Sequence, residues 1–549
     1  MMSMPKAHRG QNAKKTSLAG WRPWLIGSLL TTAGAAHAQA NDGLQTKVQE
    51  IMDRSGFENA RWGVEFYSPD TKQPLYSLNS DQLFQPASAI KVFIEATAFS
   101  TLGSDYRFHT RVYRTGPVVH GVLKGDLVLV ASGDLLLGGR IKPDGTLAMP
   151  EPDHTYDPMG AVPAPGDPLQ SIREIASQVA AHGIRRIEGR VLVDDSLFRQ
   201  GTVDLGGSGP FVVSPMMIND NLVDVTVTPD SEPGIPGVLH ISPQTGYLHI
   251  VNQTRTTAPA AAMPPNGPGA LRFTDDVTNP DGSHTVTLTG DVPAASGEFR
   301  AYRITDPVHF AEMALTEALQ DKGIKARLDT ARPDLQALVP LYTKAHLVAE
   351  HVSPPLSTEV QVMTKVSSNL HTGYFPYLYG AIAGHERGDA KTAGNGLRSK
   401  LFRDAGLDPD APGISEDKYT PDFFVRFLTY LEQQPYFQKY REALPIMGKD
   451  GSLTQVQMNL PAAGHVYAKT GTGLFGRKGT PPHVFKALAG YIECPNGRWM
   501  PFAAFVDFQV TSFPTGMKMA DQAGEALGEI ASAGYQAFAS PSSDAASRR

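Results

Sequence analysis

Between about residues 106 and 340 the chain reads as short strands punctuated by turns, and the segments on either side of that block do not. Residues 125–130, 190–193, 223–227 and 286–288 set Val, Leu and Thr in short runs between Gly and Pro, the pattern of β-rich modules. Two helices are expected to interrupt the block. One runs from an Asp167 cap and Pro168 to a stop at Gly183, the other from Asp306 and Pro307 to Gly323. Residues 143–167 and 258–269 are rich in Pro and Gly and read as loops. Before the block come a helix-like stretch at 44–52, strand-like stretches at 62–67 and 74–78, and an apolar helix from Ser88 to near Leu102. After about Ala345 helical patterns dominate to about Leu444. Strands then return at 464–472, 484–493 and 499–510 as an antiparallel meander, followed by a helix at about 520–539. A chain of 549 residues exceeds one core, so two or three domains are expected.

The first 38 residues are of another kind. Lys6, Arg9, Lys14, Lys15 and Arg22 precede an apolar run from about Trp24 to Ala36, which ends in Ala36-His37-Ala38. That order is the order of a secretory signal peptide, with cleavage expected after Ala38. No later segment is long and apolar enough for a membrane anchor. Cys494 is the only cysteine, so no internal disulfide is possible, and export without disulfides fits a bacterial periplasm. A net charge of -6 without a dense basic run gives no reason to expect nucleic acid as a partner.

The chemistry is carried by three short motifs. In Ser88-Ala89-Ile90-Lys91 the serine and lysine stand three apart, close enough on a helix for the amine to reach the hydroxyl. A free serine is a poor nucleophile until a base takes its proton. A lysine can be that base only if burial or nearby positive charge lowers its pKa. Ile90, Val92, Phe93, Ile94, Ala96, Ala98 and Phe99 leave the helix no polar face, which supplies burial. Taken alone the motif is weak. Ser88 could equally cap the helix with Lys91 paired to Glu95, and Ser3–Lys6 and Ser415–Lys418 match the same pattern. Two further motifs single out one series in chain order: Ser367-Ser368-Asn369, then Lys469-Thr470-Gly471 at a strand end. The sixteen histidines show no zinc-binding spacing, and no metal or other cofactor is expected.

With these motifs in order, the chain resembles the D-alanyl-D-alanine carboxypeptidase/endopeptidase family of class C low-molecular-mass penicillin-binding proteins, peptidase family S13. The likeness covers about residues 45–535. It extends to residues 125–134, 183–196 and 353–356, to Asn219-Asp220-Asn221-Leu222-Val223-Asp224-Val225, and to Gly448-Lys449-Asp450-Gly451-Ser452-Leu453. The resemblance implies an α/β (α+β) catalytic domain of the serine β-lactamase/DD-peptidase type, an antiparallel sheet flanked by helices. It also implies that the β-rich block is an insertion between the first and second motifs. The expected organisation is a signal peptide at 1–38, catalytic parts at 39–105 and 341–540, an inserted block at 106–340 and a disordered tail at 541–549.

The resemblance further implies an acyl-enzyme on Ser88, with Lys91 as general base and Ser367 passing a proton to the leaving amine. Asn369, Lys469, Thr470, Gly471 and Thr472 would bind substrate, with the backbone N–H groups of Ser88 and Thr472 as oxyanion hole. Peptidoglycan stem peptides and crosslinks are the implied substrates, and β-lactam antibiotics the implied covalent inhibitors. The chain departs from the family at Ser368, where Asp is usual; His371 and Tyr374 just beyond could compensate or could be ordinary packing residues. A β-lactamase or esterase on the same fold, and a non-catalytic peptidoglycan-binding or sensing protein, are the alternative readings.

Overall fold

The computed structural model describes residues 42–539, apart from 69–70, 159, 205–209, 260–266, 268, 330–332, 477–478 and 496. The signal segment and the tail at 541–549 lie outside the described residues.

Two distant parts of the chain build one five-stranded antiparallel sheet. Its order is Val466–Phe475, His483–Glu493, Trp499–Gln509, Arg61–Ser68, Gln73–Leu78. The last three strands in sequence are the expected meander. The first two strands complete the sheet because Arg61–Ser68 pairs with Trp499–Gln509, Val64 opposite Ala504. The His483–Glu493 and Trp499–Gln509 strands are apolar over most of their length, Lys486 and Asp507 excepted, because both faces are covered. Alternate residues point to opposite sides. Ala487, Ala489, Ala503 and Phe505 enter one core, and Leu488, Ile492, Phe502, Ala504 and Val506 the other. Helix 42–52 and the long helix Phe513–Gly534 cover the second face. The first face carries the Lys91–Leu102 and Pro421–Leu431 helices, with Phe93 packed among Phe402, Tyr419, Phe423, Phe424 and Phe427. This is the expected α+β arrangement.

The β-patterned block has a core of its own. A four-stranded sheet runs in the order Leu347–Val352, His109–Arg114, Leu127–Val130, Val191–Asp194, and two three-stranded sheets lie further along the chain. The pairing of Leu347–Val352 with His109–Arg114 carries the strand pattern past residue 340, into a stretch whose sequence reads as the start of a helical region. The Pro307–Asp321 helix begins on an Asp306 side chain that accepts from His309 N, as its sequence implies. The other helix starts later than its Asp-Pro signal, at Gln170. There Asp167 instead closes the preceding turn by accepting from Leu169 N. Cys494 is half-buried against the core under the long helix. Among the described residues no helix is long and apolar enough to cross a membrane.

Candidate active site

Ser88 lies on a single 3-10 turn, Ala87–Ile90, that feeds the Lys91–Leu102 helix. The sequence suggests a continuous α-helix here. The tighter turn has a consequence, because residues three apart eclipse in a 3-10 helix and Lys91 is carried directly over Ser88. Lys91 Nζ is 2.7 Å from Ser88 Oγ. Ala87, just before the serine, has φ +45°, and Ser367 has φ +63°. Left-handed backbone at two non-glycine residues beside the same hydroxyl is strain held by its surroundings.

Lys91 is buried and has four close partners: Ser88 Oγ, the Ser367 carbonyl at 2.7 Å, Ser367 Oγ at 3.0 Å and Asn369 Oδ1 at 2.7 Å. It makes no bond to Glu95, which removes the helix-cap reading. The Ser367 carbonyl and the Asn369 amide oxygen can only accept. A neutral amine satisfies both with its two hydrogens and turns its lone pair to a hydroxyl. Burial, then the charge of Lys469, pushes the Lys91 pKa well below the ordinary lysine value, so the neutral form is the favoured one.

The third motif approaches from the sheet edge. Gly471 has no room for a side chain, since a Cβ there would stand 2.0 Å from the Pro86 carbonyl. Glycine therefore lets the strand close on the Ser88 turn. Lys469 is buried, with Nζ 2.9 Å from the Thr470 carbonyl. Burial lowers its pKa to about 7 against the pull of Glu151, with Lys486 adding to the fall. Thr470 Oγ1 lies 2.7 Å from Ser452 Oγ, while Ser452 N donates to the Lys365 carbonyl and Lys365 Nζ pairs with Asp450. The Gly448–Leu453 stretch thus ties the second motif to the third. Thr472 is exposed at the cleft mouth. Gln85, Ala87, Ile90, Thr372, Phe475 and Phe485 join Ser88, Lys91, Asn369 and Thr472 around a cleft of about 300 Å³.

All eight residues expected from sequence are therefore at or beside one cleft. Ser368 is buried and caps the Asn369–Ile382 helix, accepting from His371 N, so the middle residue of the second motif serves the backbone. The second Ser-x-x-Lys match, at Ser415–Lys418, is an exposed reverse turn whose Asp417 reaches the cleft rim.

Sequence reading missed what the loop at 143–167 brings in. Tyr156 Oη donates to the Ser367 carbonyl at 2.5 Å. Behind it Asp153, His154 and Asp220 stand close enough to hold an ion, but Arg140 bonds both Asp153 and Asp220. The guanidinium already supplies the positive charge that a metal would bring. A histidine and a tyrosine in a Pro/Gly-rich loop carry no spacing signal that could have identified them.

Residues 44–526 match the model of the D-Ala-D-Ala carboxypeptidase 3 (S13) family. A D-alanyl-D-alanine carboxypeptidase of Actinomadura sp. (strain R39) is 26% identical over 86% of this chain and 82% of its own length. A penicillin-sensitive carboxypeptidase A of Dictyostelium discoideum is 22% identical over 79% of this chain and 83% of its own. Among solved structures, penicillin binding protein 4 of Haemophilus influenzae superposes with a TM-score of 0.62 at 18% identity, covering 89% of this chain and 98% of that one. A second structure of that protein, complexed with a β-lactam, gives 0.61. The chain belongs to the D-Ala-D-Ala carboxypeptidase 3 (S13) family.

Proposed function

We propose that this S13-family carboxypeptidase cleaves the D-Ala–D-Ala end of peptidoglycan stem peptides through an acyl-enzyme on Ser88. The observation that carries the reading is the convergence of Ser88, Ser367 and Asn369 on one buried amine, Lys91 Nζ. In this scheme Lys91 takes the Ser88 proton as Oγ attacks the carbonyl of the scissile bond. Ser367 relays that proton to the departing D-alanine amine, and Asn369 holds the substrate amide. Lys469 and Thr470 bind the terminal carboxylate, and the N–H groups of Ser88 and Thr472 stabilise the oxyanion. Losing one such donor costs about 3 kcal/mol of the barrier. Water then releases the acyl group.

A β-lactam presents the same carboxylate and a strained amide, so it acylates Ser88 as well. Asp417 is the one carboxylate among the described residues that line the cleft, and it is engaged by Gln85 and Ser415. With no carboxylate there poised to activate water, the penicilloyl adduct is long-lived. In domain terms, residues 39–105 and 341–540 supply the catalytic part and 106–340 the insertion, except that the strand Leu347–Val352 belongs to the sheet and core of the inserted block. Support comes from the five-stranded sheet, whose strands come from both catalytic parts. Residues 1–38 direct export to the periplasm.

The test is incubation with a D-Ala-D-Ala-ended stem peptide and with purified crosslinked peptidoglycan, products identified by mass. Wild type releases D-alanine and Ser88→Ala does not; cleaved crosslinks add the endopeptidase activity. Rapid, repeated hydrolysis of penicillin would make the protein a β-lactamase instead. Peptidoglycan binding without any product from wild type would make it a non-catalytic binder.

A further inference from the structure

The inserted block meets the second motif through one unusual turn. Asn219, Asp220 and Asn221 have φ of +52°, +55° and +54°, three consecutive non-glycine residues in left-handed backbone. L-residues visit that region singly, because each pays for the contact of Cβ with the following carbonyl. The turn is pinned from all sides. Asn219 Nδ2 donates to the Leu222 carbonyl and Asn221 Nδ2 to the Met216 carbonyl. Gly139 leaves room for it, since a Cβ there would stand 2.1 Å from Asn219 Oδ1.

What the turn presents is the Asp220 carboxylate, at full burial. Oδ2 takes Arg140 and His154 Nε2, the latter at 2.7 Å. Oδ1 takes His371 Nε2 at 2.9 Å. His371 belongs to the first turn of the Asn369–Ile382 helix, two residues after Asn369, and its own N–H is the one that Ser368 caps. His154 is fixed at its other nitrogen by Asp224, 3.0 Å away, and lies two residues before Tyr156. Both routes from Asp220 thus end on the second motif. One runs through His371 to the head of the helix bearing Asn369, the other through the His154 turn and Tyr156 to the Ser367 carbonyl.

We propose that Asp220 and His371 are positioning residues for the reaction: the strained turn of the inserted block sets where Ser367 and Asn369 stand against Lys91. The inference rests on the acyl-enzyme reading of the site. Ser367 holds an unfavourable φ of +63°, and its carbonyl is gripped from one side by Lys91 and from the other by Tyr156. If His371 loses Asp220, the head of the helix is free to shift. A displacement of about 1 Å at such a group costs on the order of 10²-fold in rate. The strain in the turn persists because the same residues serve both the block and the site.

The test compares His371→Leu, which cannot donate to Asp220, with His371→Gln, whose amide nitrogen can reach the place of Nε2. Tyr156→Phe removes only the hydroxyl on the second route. Acylation by a fluorescent penicillin, D-alanine release and thermal unfolding are measured on the full chain. Expected for His371→Leu is a fall in kcat of about 10²-fold with KM changed far less. His371→Gln recovers most of that loss, and Tyr156→Phe falls in the same direction with an unchanged melting temperature. Near wild-type kcat in both His371→Leu and Tyr156→Phe overturns the proposal, and so does a loss in His371→Gln equal to that in His371→Leu. If His371→Leu does not fold, Tyr156→Phe and His371→Gln decide alone: a wild-type kcat for Tyr156→Phe, or no activity in folded His371→Gln, overturns it. Failure of the underlying reading looks different, since wild type itself would then acquire no penicillin.

Discussion

Two assemblies of charge are buried at similar depth and behave in opposite ways. Around Lys91 and Lys469, two lysine amines face carbonyls and hydroxyls, and no carboxylate bonds to either among the described residues. Burial pushes both toward the neutral form, Lys469 to about 7. Around Arg140 every charge has a counter-charge: Asp153 and Asp220 on the guanidinium, Asp220 and Asp224 on His154. There burial would discharge His154, but Asp224 and Asp220 outweigh it and raise its pKa to about 10. The lesson is that burial alone does not set a group's role. A buried amine with no counter-charge is pushed toward its neutral form, and a cation among carboxylates is held charged.

The sharpest way to break the comparison is Lys91→Met. It keeps length and apolar bulk but has no lone pair for the Ser88 proton. Acylation by penicillin is expected to fall by about 10³-fold or more, with the fold intact by circular dichroism. Retained acylation would mean that Lys91 is merely a packed cation. The matching change in the other assembly is Arg140→Met. It takes from Asp153 its one ion-pair partner and leaves Asp220 to the two histidines, and a loss of about 3–5 kcal/mol in denaturant unfolding is expected.

Next in size is an opposed response to pH. The Lys469 pKa of about 7 lies below its unfolded value of 10.5, so the unfolded chain holds the extra proton between them and folding gains as pH rises. His154 is the reverse. With a folded pKa of about 10 above 6.5, its contribution is complete below pH 6.5 and is lost as pH rises through 10. At pH 7 Lys469→Met is therefore expected to be more stable than wild type and His154→Gln less stable. Both gaps narrow toward pH 10 in urea titrations. Two gaps of the same sign would undo the contrast.

The smallest effect concerns Glu95, one turn beyond Lys91, whose carboxyl burial raises far above the usual range. Burial favours its neutral form, so Glu95→Gln should leave acylation unchanged. A clear loss would show that the carboxylate and Lys91 act as a pair after all.

The three motifs that meet at the cleft were legible because each is local: a spacing of three on an apolar helix, a triplet before a helix, a triplet on a strand. The five-stranded sheet was half legible. The meander has turn and alternation signals, but nothing in residues 61–78 says that they join it across more than 400 residues of chain. The same limit hid how Asp220, His154 and His371 meet, although Asp220 lies in one of the family-like runs and His371 stands just beyond the second motif. Their partners lie 66 and 151 residues apart, and a buried ion network has no sequence period. The 3-10 turn at Ser88 was invisible because its residues suit an α-helix equally well.

The proposed reaction turns on Lys91 being neutral beside Ser88 at physiological pH. The most direct measurement is the rate of penicillin acylation against pH, with the adduct mapped by mass to the peptide containing Ser88. One adduct is expected, on Ser88, with a rate that has reached its half-maximum well below the ordinary lysine pKa of about 10.4. An adduct elsewhere, or a rate that climbs only as pH passes the ordinary lysine value, would contradict it.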